Sequence, residues 1–241
     1  GADGGSVAGN EPEDGAESGV RKRREGGRVS SAVTEAKNAG KAGETSKVKV
    51  DIYNPEKRYK ILYVDPPWGY ENNNCSGAAK NHYPTMTFSE LAELPVPALA
   101  ERDAVLFMWA TYPTIEDALR LIPLWGFEYK TIAFQWIKLN PSTQMNEYRI
   151  MTAAELFEKS CALGLGYWTR GNTECCLLAT KGHPKRESAG ISQLIFSPRG
   201  RHSEKPAEVR DKIRKLVGGG AAIELFAREE IDGWDCWGNE V

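Results

Sequence analysis

Short apolar runs of strand length, separated by segments of helical periodicity, constrain the fold of this chain more than any other feature. Residues 61–64, 104–109 and 222–226 are apolar almost throughout, as expected for strands buried on both faces of a sheet. Between such runs, apolar residues recur three or four positions apart, which is typical of helices that pack one face on a sheet. The alternation predicts a doubly wound α/β fold with helices on both faces of the sheet.

The individual elements follow from the same periodicities. Strands are expected over residues 48–52, 61–64, 104–109, 129–137, 174–180, 193–196 and 222–226. Helices are expected over residues 87–94, 114–125, 152–163 and 203–217, where prolines or glycines follow most of the helical patterns.

The composition divides the chain into a tail and one domain. Residues 1–46 are rich in Gly, Ala, Glu and Ser, and such a segment buries too little to offset its ordering entropy, so we expect it to be disordered. Its basic run, residues 21–24, is either an arm for nucleic acid or part of a solvated tail. Residues 47–241 form the expected domain. Within it, residues 140–165 are either a target-recognition insertion or a surface elaboration.

Composition also excludes several classes of protein. The formal net charge of -2 argues against a basic protein of the histone kind, but it leaves room for a local basic cleft. The 5 cysteines and the histidines show no metal-site spacing, so no metal is expected and the thiols are expected to be reduced. No apolar run has the length of a membrane span. We therefore expect a soluble protein of the cytoplasm, or of the nucleus in a eukaryotic host.

The apolar run 61–64 carries an acid to its end, and the sequence continues Asp65-Pro66-Pro67-Trp68. Open parallel sheets bind ligands beyond the carboxyl ends of their strands, so Asp65 lies where a site is expected. A lone acid there is most simply a helix cap or a surface group. Two prolines and a tryptophan are poor capping residues, however, and they fix the direction of one carbonyl and one side chain. This arrangement suits the presentation of two acceptors to a planar amine.

Together with further stretches, this motif resembles a known family. These stretches are His82-Tyr83-Pro84-Thr85-Met86, Tyr167-Trp168-Thr169-Arg170-Gly171-Asn172-Thr173-Glu174, His202-Ser203-Glu204-Lys205-Pro206, Glu224-Leu225-Phe226-Ala227-Arg228 and Trp234-Asp235-Cys236-Trp237-Gly238-Asn239-Glu240. In this order they resemble the S-adenosyl-L-methionine-dependent adenine-N6 methyltransferases of the DPPW type. This MT-A family includes messenger-RNA adenosine methyltransferases, and the chain is most similar to its prokaryotic and phage DNA-methylase branch.

The resemblance implies a Rossmann-like methyltransferase domain with a circularly permuted motif order, in which the catalytic motif precedes the cofactor motif. It implies S-adenosyl-L-methionine as cofactor and Asp65, Pro66, Pro67 and Trp68 as catalytic residues. Asp65 would also border the donor. The other expected cofactor contacts are Lys205 at the donor's carboxylate, Arg228 beside the cofactor, Asn239 and Glu240 at its ribose, and Asp51 with Ile52 at its adenine. On the residues alone, Arg228 is as well explained as a surface charge and Lys205 as an ordinary lysine at a helix start.

The expected substrate contacts are Trp68 or Tyr83 stacking on the base, with Glu174 and Arg170 nearby. Glu174 is alternatively a structural acid at a strand start. Basic residues expected to flank the cleft as a phosphate track are Lys138, Arg149, Arg170, Lys181, Lys185, Arg186, Arg199 and Arg201.

The resemblance implies methyl transfer to the N6 amine of adenine in nucleic acid, with DNA favoured over RNA. Two alternatives stay open: an RNA adenine-N6 methyltransferase, and a catalytically silent nucleic-acid-binding partner of an active paralogue. A protein amide or a small molecule as acceptor is a further alternative, but Asp65 and Trp68 favour adenine. Nucleic acid is the expected partner, no membrane is expected, and the sequence does not decide between a monomer and a dimer.

Overall fold

The computed structural model describes residues 49–69, 85–142, 160–164, 168–200 and 204–241. Its strands are β1 (Tyr59–Val64), β2 (Ala100–Ala110), β3 (Glu128–Leu139), β4 (Thr173–Lys181), β5 (Leu194–Pro198), β6 (Ala222–Leu225) and β7 (Asp235–Trp237). Its α-helices are α1 (Phe88–Ala92), α2 (Val96–Leu99), α3 (Ile115–Leu124) and α4 (Glu208–Val217), and a 3-10 helix covers Tyr112–Thr114.

The strands form one 7-stranded sheet in the order β5-β3-β4-β2-β1-β6-β7. Among the described strands, β4 runs antiparallel to its neighbours β2 and β3, and the other pairs are parallel. The carboxyl ends of the parallel strands therefore share one edge of the sheet with the start of β4. We call this edge the carboxyl edge.

Helices cover both faces of the sheet, because alternate residues of each strand point to opposite sides. On one face, α1 and α3 pack Leu91, Leu121 and Ile122 against β1 and β2. On the other, α4 packs its buried residues Val209 and Ile213 against a second cluster. The predicted doubly wound α/β class is confirmed. The permuted motif order stays a prediction.

Local sequence signals explain where the helices begin and end. Thr87 and Glu90 form a capping box at the start of α1, in which each side chain accepts from the other residue's backbone N–H. Gly126, with φ 79, follows α3, and Gly218, with φ 76, ends α4. These are backbone angles that glycine adopts without strain.

Several expected elements differ in the structure. The strand predicted at residues 48–52 is wrong for its described part, since Lys49 makes one isolated bridge to Cys236 and a turn follows. The helix expected from residue 203 begins at Glu208. Most of the helix expected at 152–163 lies outside the described residues. β7 was not predicted, because three residues are too few to show a period.

None of the helices in the described residues combines the length and the apolar character that a bilayer crossing requires.

Candidate active site

The turn after β1 is fixed on both sides by backbone hydrogen bonds. The Trp68 N–H donates to the Pro66 carbonyl at 2.8 Å, while the Met86 N–H donates to the Pro67 carbonyl at 2.9 Å and the Gly69 N–H to the Met86 carbonyl at 3.1 Å. Asp65 lies at the end of β1, where its N–H reaches the Leu225 carbonyl of β6 at 3.5 Å. The turn therefore holds the Asp65 side chain and the Pro66 carbonyl in a defined direction.

Trp68 anchors this turn to the sheet. Its side chain is buried, with 7% relative exposure, and its indole Nε1–H donates to the Trp109 carbonyl at 3.1 Å. This burial favours an anchoring role over the expected stacking on a base, which stays a prediction. The alternative stacking residue, Tyr83, lies outside the described residues.

Four charged side chains of alternating sign meet at the carboxyl edge: Asp65, Lys205, Glu174 and Lys138. The Lys205 ammonium lies 2.9 Å from both carboxylate oxygens of Asp65 and 3.4 Å from Oε2 of Glu174. The other Glu174 oxygen, Oε1, contacts the ammonium of Lys138. Lys205 also lies 5.6 Å from the ring centroid of Trp109 on β2. We call these four residues the charge row.

Burial and charge act against each other along the charge row. Burial raises the pKa of Asp65 above its ordinary value of 3.8, and the Lys205 ammonium opposes that rise. Burial acts in the same direction on Glu174, but Lys205 and Lys138 together outweigh it and lower the pKa of Glu174. Burial depresses the pKa of Lys205, yet Asp65 and Glu174 raise it overall. The pKa shifts of the two carboxyl groups of the row therefore have opposite directions, upward for Asp65 and downward for Glu174.

The turn after β6 is close-packed and strained. Phe226 has φ 62, a left-handed backbone angle that is uncommon for a bulky residue. Residues with such strained angles cluster at functional sites. A Cβ on Gly238 would lie 2.2 Å from the Ala227 carbonyl oxygen, so only glycine fits where the two turns meet. Arg228 follows, and its Nη1 lies 3.4 Å from Oε1 of Glu240.

Most of the residues expected at the cofactor lie along the carboxyl edge. Arg228 follows β6, and Asn239 and Glu240 follow β7 with exposed side chains. Asp51 follows a parallel bridge beside β7, which places it at the same edge. Its carboxylate accepts from the Tyr53 N–H at 2.9 Å and from Asn54 Nδ2 at 2.8 Å.

Ile52 differs from this set, because its side chain is fully buried in the core and is not presented at the surface of the edge.

The hydrogen bonds from Asn54 and Tyr53 lower the pKa of Asp51, so its carboxylate is ionised at neutral pH. The Asp51 carboxylate is thus positioned by local bonds, whereas the Ile52 side chain serves the fold.

Two exposed aromatic side chains near the candidate site, Trp168 and Tyr112, are not among the expected site residues. Trp168 is 100% exposed, two residues before the exposed Arg170. Tyr112 is 50% exposed, follows β2, and its hydroxyl lies 2.7 Å from Thr173 Oγ1 at the start of β4. The signal for Tyr112 was available, since it follows an apolar strand as Asp65 does.

The basic residues of the expected phosphate track do not all face outward. Lys138 turns inward to Glu174. Arg170 and Arg199 are exposed near the carboxyl edge, and Lys181 donates to the Pro97 carbonyl at 3.2 Å, at the opposite edge. Among the described members of the expected track, only Lys138, Arg170 and Arg199 lie near the candidate site, whereas Arg149 and Arg201 lie outside the described residues.

Comparisons with known proteins find similar sequences over most of the chain. The model of the MT-A70 family matches residues 59–240. The chain is 35% identical to the type II methyltransferase M.MunI of a Mycoplasma species, over 78% of this chain and 79% of that protein. It is 29% identical to the human N(6)-adenine-specific methyltransferase METTL4, over 79% of this chain and 39% of that protein. An Arabidopsis thaliana relative, 24% identical over 55% of this chain and 15% of its own length, is named a non-catalytic subunit of an N6-adenosine-methyltransferase.

Proposed function

Because the chain belongs to the MT-A70 family, we propose that it transfers a methyl group from S-adenosyl-L-methionine to the N6 amine of adenine in nucleic acid, with DNA favoured over RNA. The observation that carries the proposal is the pair of acceptors at the end of β1. The Asp65 carboxylate and the Pro66 carbonyl stand on consecutive residues of a turn that backbone hydrogen bonds hold rigid.

The chemistry of the acceptor explains why two such oxygens matter. The lone pair of the adenine amine is conjugated into the ring, so the nitrogen is a weak nucleophile. Two acceptors on its two N–H groups draw it toward a tetrahedral geometry and stabilise the positive charge that develops during attack. A carbonyl oxygen has two lone pairs, so Pro66 can accept from the amine while it also accepts from the Trp68 N–H.

The carboxyl edge fits the methyl donor. S-adenosyl-L-methionine supplies an activated methyl group on a sulfonium, so its transfer requires alignment and an opposite face open to attack. The carboxylate of Glu240 and the amide of Asn239 suit the hydroxyls of a ribose, and Asp51 suits an amine or hydroxyl donor. Lys205 and Arg228 supply cations for the carboxylate of the donor. The strained turn at Phe226 lies between these groups.

Two features favour nucleic acid as the carrier of the adenine. The exposed Trp168 offers a ring for stacking on a base, and the exposed Arg170 beside it suits a phosphate. We favour DNA because this chain is 35% identical to the type II methyltransferase M.MunI. It is 25% identical to the N6-methyladenosine RNA methyltransferase MTA1 of Pyricularia oryzae. A duplex substrate requires that the adenine be flipped out of the stack.

A silent partner subunit is the second candidate, because one relative is named non-catalytic. Against it stand the acidic Asp65 in its turn and the cation Lys205 at 2.9 Å from that carboxylate. Donor binding separates the two candidates, since a scaffold without a donor site gives no heat when S-adenosyl-L-methionine is titrated into it.

The test uses the full chain, donor with a labelled methyl group, and matched panels of duplex DNA, single-stranded DNA and RNA, each digested to nucleosides. We expect the label in N6-methyldeoxyadenosine from DNA. Label only in N6-methyladenosine from RNA would replace DNA by RNA as the substrate. Label in another nucleoside, or none with every polymer, would refute the proposal.

A further inference from the structure

The charge row crosses the sheet on one face. The strands β1, β2, β4 and β3 are consecutive neighbours, and alternation along each strand places Asp65, Trp109, Glu174 and Lys138 on the face that α4 covers. Lys205 precedes α4 and lies over the Trp109 ring, so it stands above β2 between the acids of β1 and β4. Four charges of alternating sign therefore span four strands.

Lys138 ends this row and has no place in the proposed chemistry. Its backbone N–H donates to the Asn172 carbonyl at 2.8 Å, which ties β3 to the residue before β4. Its ammonium lies 5.1 Å from the ring centroid of Trp136 and contacts Oε1 of Glu174. The side chain is 21% exposed, and that of Glu174 is 13% exposed. Lys138 is thus held inward rather than extended toward solvent.

Glu174 divides its two oxygens between two lysines. One oxygen contacts Lys138, and the other lies 3.4 Å from Lys205, which is nearer to Asp65 at 2.9 Å. In a site with little water, a carboxylate that loses one of its two cations attracts the other cation more strongly. Without Lys138, Glu174 would therefore pull the Lys205 ammonium toward itself. The shared position of Lys205 therefore depends on the cation at the far end of the row.

We propose that Lys138 is a positioning residue of the active site: by engaging Glu174, it keeps the Lys205 ammonium on Asp65 and so fixes the Asp65 carboxylate for the acceptor amine. The kinetic part of this inference rests on the proposed function. Lys138 touches neither acceptor nor donor, and it acts through Glu174 and Lys205.

The charge of Lys138 also affects the pH at which Asp65 titrates. Asp65 is faced by Lys205 before α4, by Glu174 and Cys176 on β4, and by Glu224 on β6 with Arg228 after it. Removing the Lys138 charge leaves Glu174 less neutralised and draws Lys205 away from Asp65. Both changes disfavour the ionised form of Asp65, so its pKa rises further.

The experiment compares Lys138→Met, which keeps the length and the packing of the stem, with Lys138→Arg, which keeps the charge. Lys130→Met is the matched control, because Lys130 lies on the same strand, and its pair with Glu128, at 2.6 Å, is exposed. The readouts are kcat/KM against pH, and the titration of the Asp65 carboxyl carbon by NMR of protein with 13C-labelled aspartate, assigned with Asp65→Asn.

For Lys138→Met we expect kcat at neutral pH to fall by roughly 10- to 100-fold, as for the loss of a residue that orients a reacting group. The acid limb of kcat/KM and the Asp65 titration should both move to higher pH. Lys138→Arg should have a kcat, an acid limb and an Asp65 titration close to those of the wild type. Lys130→Met should also match the wild type.

An unchanged Asp65 titration in Lys138→Met would overturn the inference, even with a lower melting temperature, because Lys138 would then be only structural. A wild-type protein that methylates no polymer would refute the proposed function instead. The NMR titration would still decide the position of Lys138, so the two failures are distinguishable.

Discussion

Gly238 shows how a single residue shapes the expected donor site. An added Cβ would meet the carbonyl oxygen of Ala227 at 2.2 Å and its nitrogen at 2.7 Å. Both are backbone atoms of the turn that holds Phe226 at φ 62. A change of side-chain rotamer therefore cannot move either atom away from the added Cβ. The turns after β6 and β7 thus depend on each other at this glycine.

We therefore expect Gly238→Ala to displace the turn after β6 and to weaken donor binding by at least about tenfold, which corresponds to about 1.4 kcal/mol. Gly190→Ala is the control, since a Cβ there meets nothing within 4 Å. Calorimetric titration with S-adenosyl-L-methionine measures both. Equal donor affinity in the two variants would show that the donor does not use this turn.

Individual residues also differ in how far the sequence predicted them. Asp65 was predictable because an apolar run and two prolines mark the end of a strand, and strand ends are where open sheets bind ligands. The inward position of Lys138 was not, because its partner lies 36 positions away on another strand. Sequence alternation gives the face of a residue, but not the neighbouring strand.

At the scale of elements, one buried ion pair joins α4 to β6. Arg210 donates through Nε and Nη2 to the two carboxylate oxygens of Glu224, at 2.7 and 2.9 Å. The side chains are 12% and 11% exposed. Burial raises the pKa of Glu224, and Arg210 opposes it. When one partner of such a buried pair is removed, the other charge stays buried without a counter-charge, which strongly destabilises the fold.

Arg210→Met should therefore lower the free energy of unfolding by about 3–5 kcal/mol, because Glu224 stays buried without its guanidinium. Arg120→Met, which breaks the exposed pair with Asp117, should cost about 0–1 kcal/mol. Urea denaturation of both variants measures the difference. Equal effects would mean that the buried pair is as weakly coupled as a surface pair.

The segment between β3 and β4 contains a part that belongs to the sheet. Ala162 donates its N–H to the Lys138 carbonyl at 2.7 Å, and Asn140 donates to the Ser160 carbonyl at 2.7 Å. Ser160, Cys161 and Ala162 are nearly fully buried. Residues 160–162 of the expected insertion are therefore structural, and residues 143–159 stay candidates for target recognition.

Replacing residues 143–159 by a short Gly-Ser linker should change the sequences that are methylated. The matched variant replaces residues 160–162 by Gly-Ser-Gly, and it should lower the melting temperature because it removes buried contacts. Sequencing of methylated sites in a random DNA library measures target choice. An unchanged target after the first replacement would show a surface elaboration.

The elements that the sequence predicted correctly are those with long apolar patterns, such as β2 and α3. β7 was missed because it has three residues, and the strand expected at 48–52 was wrong because its alternation continues into a turn. The direction of β4 was also unforeseen, since an apolar run reads the same both ways. Residues 160–162 pair beside the end of β3, so the chain is still at the carboxyl edge shortly before β4 begins. A strand that begins at the edge where β3 ends runs antiparallel to β3.

At the scale of the whole molecule, the sheet order brings distant residues to one edge. β1 stands between β2 and β6, so Asp65 has Tyr112 on one side and Arg228 on the other. The antiparallel β4 adds its first residues, and with them Glu174, to this edge. The fold class and the position of Asp65 at the carboxyl edge were thus predictable, whereas the charge row required the actual neighbours across the sheet.

In the proposed chemistry, methyl transfer depends above all on the Asp65 carboxylate, which accepts a hydrogen bond from the amine that is methylated. The most direct test is the single-turnover rate of methyl transfer to adenine in Asp65→Asn, with donor affinity measured in parallel and Asp117→Asn as an exposed control. We expect a rate lower by roughly 10²–10³-fold, with donor affinity within a few-fold of the wild type. A rate close to that of the wild type would contradict it.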